Sequence, residues 1–173
     1  KSSQLKRFLH ESEANIGIIY RNLKRAADLI SSFKKVAVDQ STADERTFVI
    51  AELIEEIILT LGPELKTKPV KININCPDDL TVISKPGPIN QILINLIINS
   101  IIHAFDDDSE GVINITVVAS SGQLHLKYQD NGKGVDPTMK QKIFEPFTTT
   151  RRGEGGSGLG LHLVYNLVTQ ALR

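Results

Sequence analysis

The sequence predicts an α+β domain carried behind one long coiled-coil-like helix, and three observations predict it. A heptad seam runs through residues 1–38. Beyond it, period-two stretches such as VKININ at Val70–Asn75 alternate with stretches of helical period. Val112–Ala119 and Gln123–Gln129 then flank Ser120-Ser121-Gly122, a hairpin signal.

With 173 residues, 40% of them hydrophobic, the chain can build one core plus an appendage, and not two full domains. Twenty basic and twenty acidic residues give a formal net charge of zero, so no global field draws the protein to nucleic acid or anionic lipid. Asn95 and Asn99 interrupt the longest apolar run before it reaches the roughly 18 residues of a membrane span, and the N-terminus is not signal-like. A soluble chain without direct membrane contact is expected. Cys76 is the single cysteine, which excludes an internal disulfide, fits a reducing compartment and reads as a small buried or edge residue.

The seam comprises Leu5, Leu9, Ser12, Ile16, Ile19, Leu23, Ala26, Ile30, Phe33 and Ala37, in steps of four and three flanked by charge. Such a helix buries its seam only against another, and a second copy of the chain is the natural partner, so a homodimer is expected. The alternative is a helix folded back on the globular part. Residues 39–46, DQSTADER, lose the periodicity and form a linker to a domain spanning 47–173. Thr47–Val49 reads as a short strand. Ala51–Leu61 reads as a helix stopped by Gly62-Pro63. Val70–Asn75 and Leu80–Ile83 read as strands with a Pro77-Asp78-Asp79 turn between them. Pro86 or Pro88 opens the next helix, which runs through Gln91–Phe105. Asp106–Gly111 reads as a solvated loop more than as a cation site. Pro137–Ile143 predicts a short helix, Thr148–Gly158 a mobile loop without apolar anchors, and the leucine pattern from Leu159 a final helix.

Within Gln91–Phe105, Asn95, Asn99 and His103 recur every four residues and so share one helix face. Burying carboxamides without partners costs about 1–3 kcal/mol each, so the stripe is satisfied either by neighbouring loops or by a ligand. Gly153, Gly155 and Gly158 have GxGxxG spacing, but no strand precedes them and no βαβ unit follows, so a dinucleotide fingerprint is rejected. Gly156, Gly158 and Gly160 instead allow close backbone approach to a ligand, and with Arg151 and Arg152 they suit a phosphate cradle. Asp130, at the end of a strand and before Gly132 and Gly134, either projects a carboxylate into a cleft or holds its own turn by an Asx bond.

Taken together, NLIINSIIHAF, DNGKG, FEPF and GSGLGL, in that order, resemble the N box, first glycine box, F box and second glycine box of the sensor histidine kinase ATP-binding domain, within the wider superfamily of gyrase-type, Hsp90-type and MutL-type ATPases. RAADLISSFKKVAVDQ is similar to the end of the second dimerisation helix of such kinases. The resemblance implies a two-layer α/β sandwich of the Bergerat type, a mixed sheet packed against helices. It implies ATP and Mg²⁺ as cofactors. Asn99 would coordinate Mg²⁺, and Asn95 would support it as the second catalytic residue. His103 would face phosphates or ribose, and Asp130 would accept from the adenine amino group beside Gly132 and Gly134. Phe144 and Phe147 would anchor the lid. Gly156, Gly158 and Gly160, with Leu159 in the same box, would wrap the triphosphate. Ile102 stands where such kinases often carry lysine, leaving phosphate charge to Arg151 or Arg152. Asn95 stands where the related ATPases carry the glutamate base, so ATP is expected to be held for transfer and not hydrolysed quickly.

His10-Glu11 lacks the proline expected of a phosphoacceptor, so the acceptor is expected on a helix this chain lacks, leaving the fragment inactive in autophosphorylation. Final strands after Gln170 are expected to be missing too. His125 and His162 read as structural. A response regulator receiver domain is the implied partner, and the fragment is expected to be cytoplasmic, compatible with a parent anchored in the inner membrane. A dimeric nucleotide-binding scaffold without transfer, or a superfamily ATPase, are the alternatives.

Overall fold

The computed structural model describes residues 8, 12–13, 15–20, 22–23, 44–106, 110–150 and 157–172. Most of the expected 1–38 helix and of the 39–46 linker lies outside them. Phe8, Ser12, Glu13, residues 15–20, Asn22 and Leu23 are helical, and the seam members Ile16, Ile19 and Leu23 are exposed. Among the described residues no helix is long and apolar enough to cross a membrane.

Strand β1 (Arg46–Val49) runs directly into helix α1 (Ile50–Thr60), whose first turn has no side-chain cap. The Ile50 N–H donates instead to the Leu80 carbonyl at 3.1 Å, which serves one of the orphan donors of the helix start. Gly62 and Pro63 end α1 and open the one-turn helix α2 (Gly62–Leu65). Strands β2 (Val70–Asn75) and β3 (Thr81–Ser84) follow, then helix α3 (Pro86–Asn99), which continues through a π-helical turn at Ser100–Ala104. Strands β4 (Gly111–Ser120) and β5 (Gln123–Asp130) precede helix α4 (Gly160–Asn166), which also ends in a π-helical turn, Leu167–Ala171.

The turn between β2 and β3 does not make them neighbours. β3 pairs antiparallel with β1, placing Val82 beside Phe48, whereas β2 pairs parallel with β4 in a sheet of order β2-β4-β5. Burial favours this arrangement at the start of β2, where the half-buried Ile72 lies beside the buried Ile113 of the central strand and packs on the core, whereas Ile74, beside Ile115, stays exposed. The β4–β5 hairpin closes through Ser121 (φ 53°) and Gly122 (φ 75°), the two positive φ values that a type I′ turn demands.

Helices α1 and α3 pack against the three-stranded sheet. Ile50, Ile54 and Ile57 of α1 and Leu61 just beyond it meet Ile89, Leu93, Ile97 and Ile101 of the α3 segment and Ile113, Ile115 and Val117 of β4 in one core. The architecture is a mixed sheet packed against helices, the sandwich expected from the sequence. Between Pro137 and Ile143 the chain makes successive turns, with Lys140 bonded to Asp136 and Ile143 to Met139, in place of the expected helix. Among those residues only Met139 and Ile143 are half-buried, too little apolar contact to hold a helix of that length.

Candidate functional site

Helix α3 works on three faces. The Ile89, Leu93, Ile97 and Ile101 stripe faces the sheet. Asn95 and Asn99 sit two positions away, about 200° around an α-helix, and so face away from it. There they meet α4. A methyl group built on Gly160 would lie 3.1 Å from Asn95 Oδ1 and 3.5 Å from both Asn99 carboxamide heteroatoms. A side chain at 160 would press on the asparagine pair, most closely on Asn95. Ile92, on the same side, packs with Val164 and Leu167 in a small second cluster that seats α4 on α3.

Asn95 donates from Nδ2 to the Gln91 carbonyl at 2.7 Å. The Asn99 Nδ2 is buried and has no hydrogen-bond partner among the described residues. An unmatched buried amide is costly, and a half-turn of the carboxamide would present its oxygen instead. This donor set fits a hard cation such as Mg²⁺, which takes few protein oxygens and keeps waters or phosphates in its other positions. His103, half-buried, lies in the π-helical turn, where each residue rotates less about the axis than in an α-helix, so it falls behind the phase that a spacing of four from Asn99 predicts.

The third face carries Ser100 toward β5, while the Leu96 side chain packs on the α4 side with Ile92 and Val164. Ser100, only 4% exposed, donates to Asp130 Oδ2 at 3.0 Å and lies 2.8 Å from the Tyr128 hydroxyl, which donates to the Leu96 carbonyl at 3.1 Å. Burial, offset in part by the Ser100 hydrogen bond and reinforced by nearby Asp130, pushes the Tyr128 phenol above its ordinary range. Asp130 Oδ1 accepts from the Gly132 N–H at 3.0 Å. The Asx bond is therefore present, together with a link to the buried Ser100. The DNG loop is fastened at both sides, by Lys133 N–H to the Ala104 carbonyl and by Asn131 Oδ1 accepting from Val112 N–H. Gly134, at φ 74°, completes the loop.

Phe144 stacks obliquely on Tyr165, ring centroids 5.9 Å apart, and His162 Nδ1 lies 2.9 Å from the Phe144 carbonyl. Phe147 takes φ 67°, and Gly158, at φ 69°, packs on its backbone: a Cβ there would be 2.5 Å from the Phe147 carbonyl carbon. Both ends of the segment from Thr148 to Ser157 are thus joined. Leu159 is half-buried beside them and its carbonyl accepts from Leu163. Arg151, Arg152 and Gly156 lie outside the described residues, as do the residues 107–109 of the acidic loop. Among the described residues no group of three or more His, Cys, Asp or Glu could hold a metal.

Two residues of this network were not singled out from the sequence. Ser100 left a trace, a polar residue within an apolar helix and one step round from Asn99. Tyr128 left another, an aromatic on the inward phase of β5. His162, read from the sequence as structural, is held by Phe144 and by Asn166, 3.2 Å from its Nε2.

Residues 84–172 match the family described as histidine kinase-, DNA gyrase B-, and HSP90-like ATPase. Sporulation kinase A of Bacillus subtilis (strain 168) is 26% identical over 165 residues, covering 95% of this chain and 26% of that protein. Sensor histidine kinase ZraS of Escherichia coli (strain K12) is 30% identical over 119 residues, covering 68% and 24%. The chain thus spans about a quarter of the length of these curated relatives. Among solved structures, the catalytic domain of histidine kinase ThkA superposes with a TM-score of 0.64 at 27% identity, covering 74% of this chain and 82% of that one.

Proposed function

Because this chain belongs to the histidine kinase-, DNA gyrase B- and HSP90-like ATPase family, and its relatives are sensor histidine kinases, we propose that it binds Mg-ATP and donates the γ-phosphoryl group to a histidine presented by a separate helix of the parent kinase. The observation that carries this reading is the buried, unmatched Asn99 carboxamide set against Gly160. Asn99 would hold Mg²⁺, with Asn95 beside it on the same face. When bound, the cation would neutralise phosphate oxygens.

Asp130 would accept from the adenine amino group, Gly132 and Gly134 leaving room for the base. His103 would lie toward ribose or phosphates. Gly156, Gly158, Leu159 and Gly160 would line the triphosphate, Arg151 and Arg152 would supply positive charge, and Phe144 and Phe147 would anchor the segment that covers it. Asn95 cannot accept a proton from water, so rapid hydrolysis is disfavoured and the phosphoryl group waits for an oriented imidazole. The exposed Ile16, Ile19 and Leu23 support a homodimer through the N-terminal helix, with a response regulator receiver domain as the downstream partner.

Calorimetric titration tests the binding step: ATP should bind in the presence of Mg²⁺, and Asn99→Ala should abolish the Mg²⁺-dependent part. Adding a fragment that bears the acceptor helix should then yield acid-labile phosphate. Binding without such phosphate would remove the transfer step and leave a nucleotide-binding scaffold.

A further inference from the structure

Asp130 is held at both oxygens. Oδ1 accepts from the Gly132 N–H and Oδ2 from the Ser100 hydroxyl, each at 3.0 Å. One donor on each oxygen fixes the plane of the carboxylate, and each oxygen keeps a lone pair. The Ser100 hydroxyl has a local alternative. A helix serine readily turns back to the carbonyl four residues earlier, here Leu96. That carbonyl already accepts from Tyr128 at 3.1 Å, and the Tyr128 oxygen is 2.8 Å from Ser100 Oγ.

The proton count gives the direction of the network. Two hydroxyl protons serve three short contacts, and the groups at the two ends, a carbonyl and a carboxylate, only accept. Tyr128 therefore shares its proton between Leu96 and Ser100, and the Ser100 proton goes to Asp130. The phenol is poised to stay a donor, since burial holds it un-ionised. What reaches Asp130 from the open side meets acceptors alone.

We propose that Ser100, released from its own helix by Tyr128, is a positioning residue that holds the acceptor-only carboxylate of Asp130 in one orientation and so sharpens the choice of a purine carrying an exocyclic amino group over one carrying a carbonyl at that position. An amino group donates to the fixed lone pair. A carbonyl oxygen there would face it with a second lone pair, and a buried mismatch of that kind discriminates far more strongly than a change in size. The inference rests on the nucleotide-binding reading above and adds the source of base choice.

The test compares dissociation constants for Mg-ATP and Mg-ITP, which differ in the amino and carbonyl groups and in the ring nitrogen beside them, an acceptor in ATP and an N–H donor in ITP, in the wild-type protein and in Ser100→Ala, Ser100→Thr and Tyr128→Phe. Wild-type protein should prefer ATP. Ser100→Ala should cut that preference roughly tenfold, equivalent to about 1.4 kcal/mol. Ser100→Thr, which keeps the hydroxyl, should retain it, and Tyr128→Phe should reduce it by a smaller factor because Leu96 then competes for Ser100. Thermal midpoints establish that each variant is folded, and Tyr128→Phe carries the test if Ser100→Ala is not. Equal weakening toward both nucleotides in Ser100→Ala, or a preference unchanged in both Ser100→Ala and Tyr128→Phe, overturns the proposal. Wild-type protein that binds both nucleotides equally overturns it too, with nucleotide binding left standing. Wild-type protein that binds neither removes the nucleotide reading and this one with it.

Discussion

At Gly132 a single methyl group has no room. Its carbon would lie 2.4 Å from Ala104 Cβ and 2.6 Å from the Ala104 carbonyl oxygen, so Gly132→Ala must force the DNG loop away from the end of the α3 segment. Overpacking of this kind costs about 1–3 kcal/mol, a shift of several degrees in thermal midpoint for a chain of this size. Gly134 differs: nothing lies within 4 Å of a built Cβ, but φ is 74°. Gly134→Ala should cost only the backbone strain, about 1–2 kcal/mol, and Gly134→Asn less. A midpoint for Gly132→Ala no lower than that for Gly134→Ala would contradict the contact. Tyr128 makes a separate prediction. Its phenol pKa is raised in the folded state, so its contribution to stability is complete below the ordinary tyrosine value of about 10 and is lost as pH rises through the raised one. In an alkaline absorbance titration Tyr128→Phe should remove the tyrosinate that forms last.

At the scale of the element, α3 carries the core and the site together. Leu93, fully buried, anchors it, and Leu93→Ala should cost about 2–5 kcal/mol, read as a lower denaturant midpoint at unchanged slope. Leu59→Ala, at an 82% exposed position of α1, should move it by less than about 0.5 kcal/mol. Much of this helix was legible in advance. The asparagine spacing gave the face, and Pro86 opens the helix within the two positions the sequence offered. The π-helical turn was not legible, because nothing in SIIHA distinguishes it from an α-helical continuation, and it alters the phase of His103. The parting of β2 from β3 was equally hidden, since a turn signal reports that the chain reverses and not which strand it will lie against. Pro137–Ile143 satisfied helical spacing but lacked a surface to pack on.

For the whole molecule, the proposed ligand would bridge the α3 asparagines, the DNG loop and the α4 start, so binding should stabilise the fold as a unit. At a hundredfold excess over its dissociation constant, Mg-ATP should add about 2.7 kcal/mol, a rise of roughly 5–10 °C in thermal midpoint. No shift would mean that the ligand does not engage the folded state. The four sequence boxes identified which parts converge. Ser100 lies within the first box without being marked by it, and Tyr128 lies outside all four, because those residues act through hydrogen bonds between elements distant in sequence, which no spacing records.

The seating of α4 on α3 has one further result. Its fully buried contact is three side chains, Ile92, Val164 and Leu167, bridged to the main core by the half-buried Leu172, with Lys85 bonded to the Ala171 carbonyl at 3.1 Å as a tie at its far end. A helix so lightly held should open before the sheet does. Native-state amide hydrogen exchange should therefore divide the protein into two cooperative units, with α4 amides exchanging at a lower opening free energy than those of β4. Nucleotide should slow the α4 amides first, and Val164→Ala should quicken them while leaving β4 unchanged.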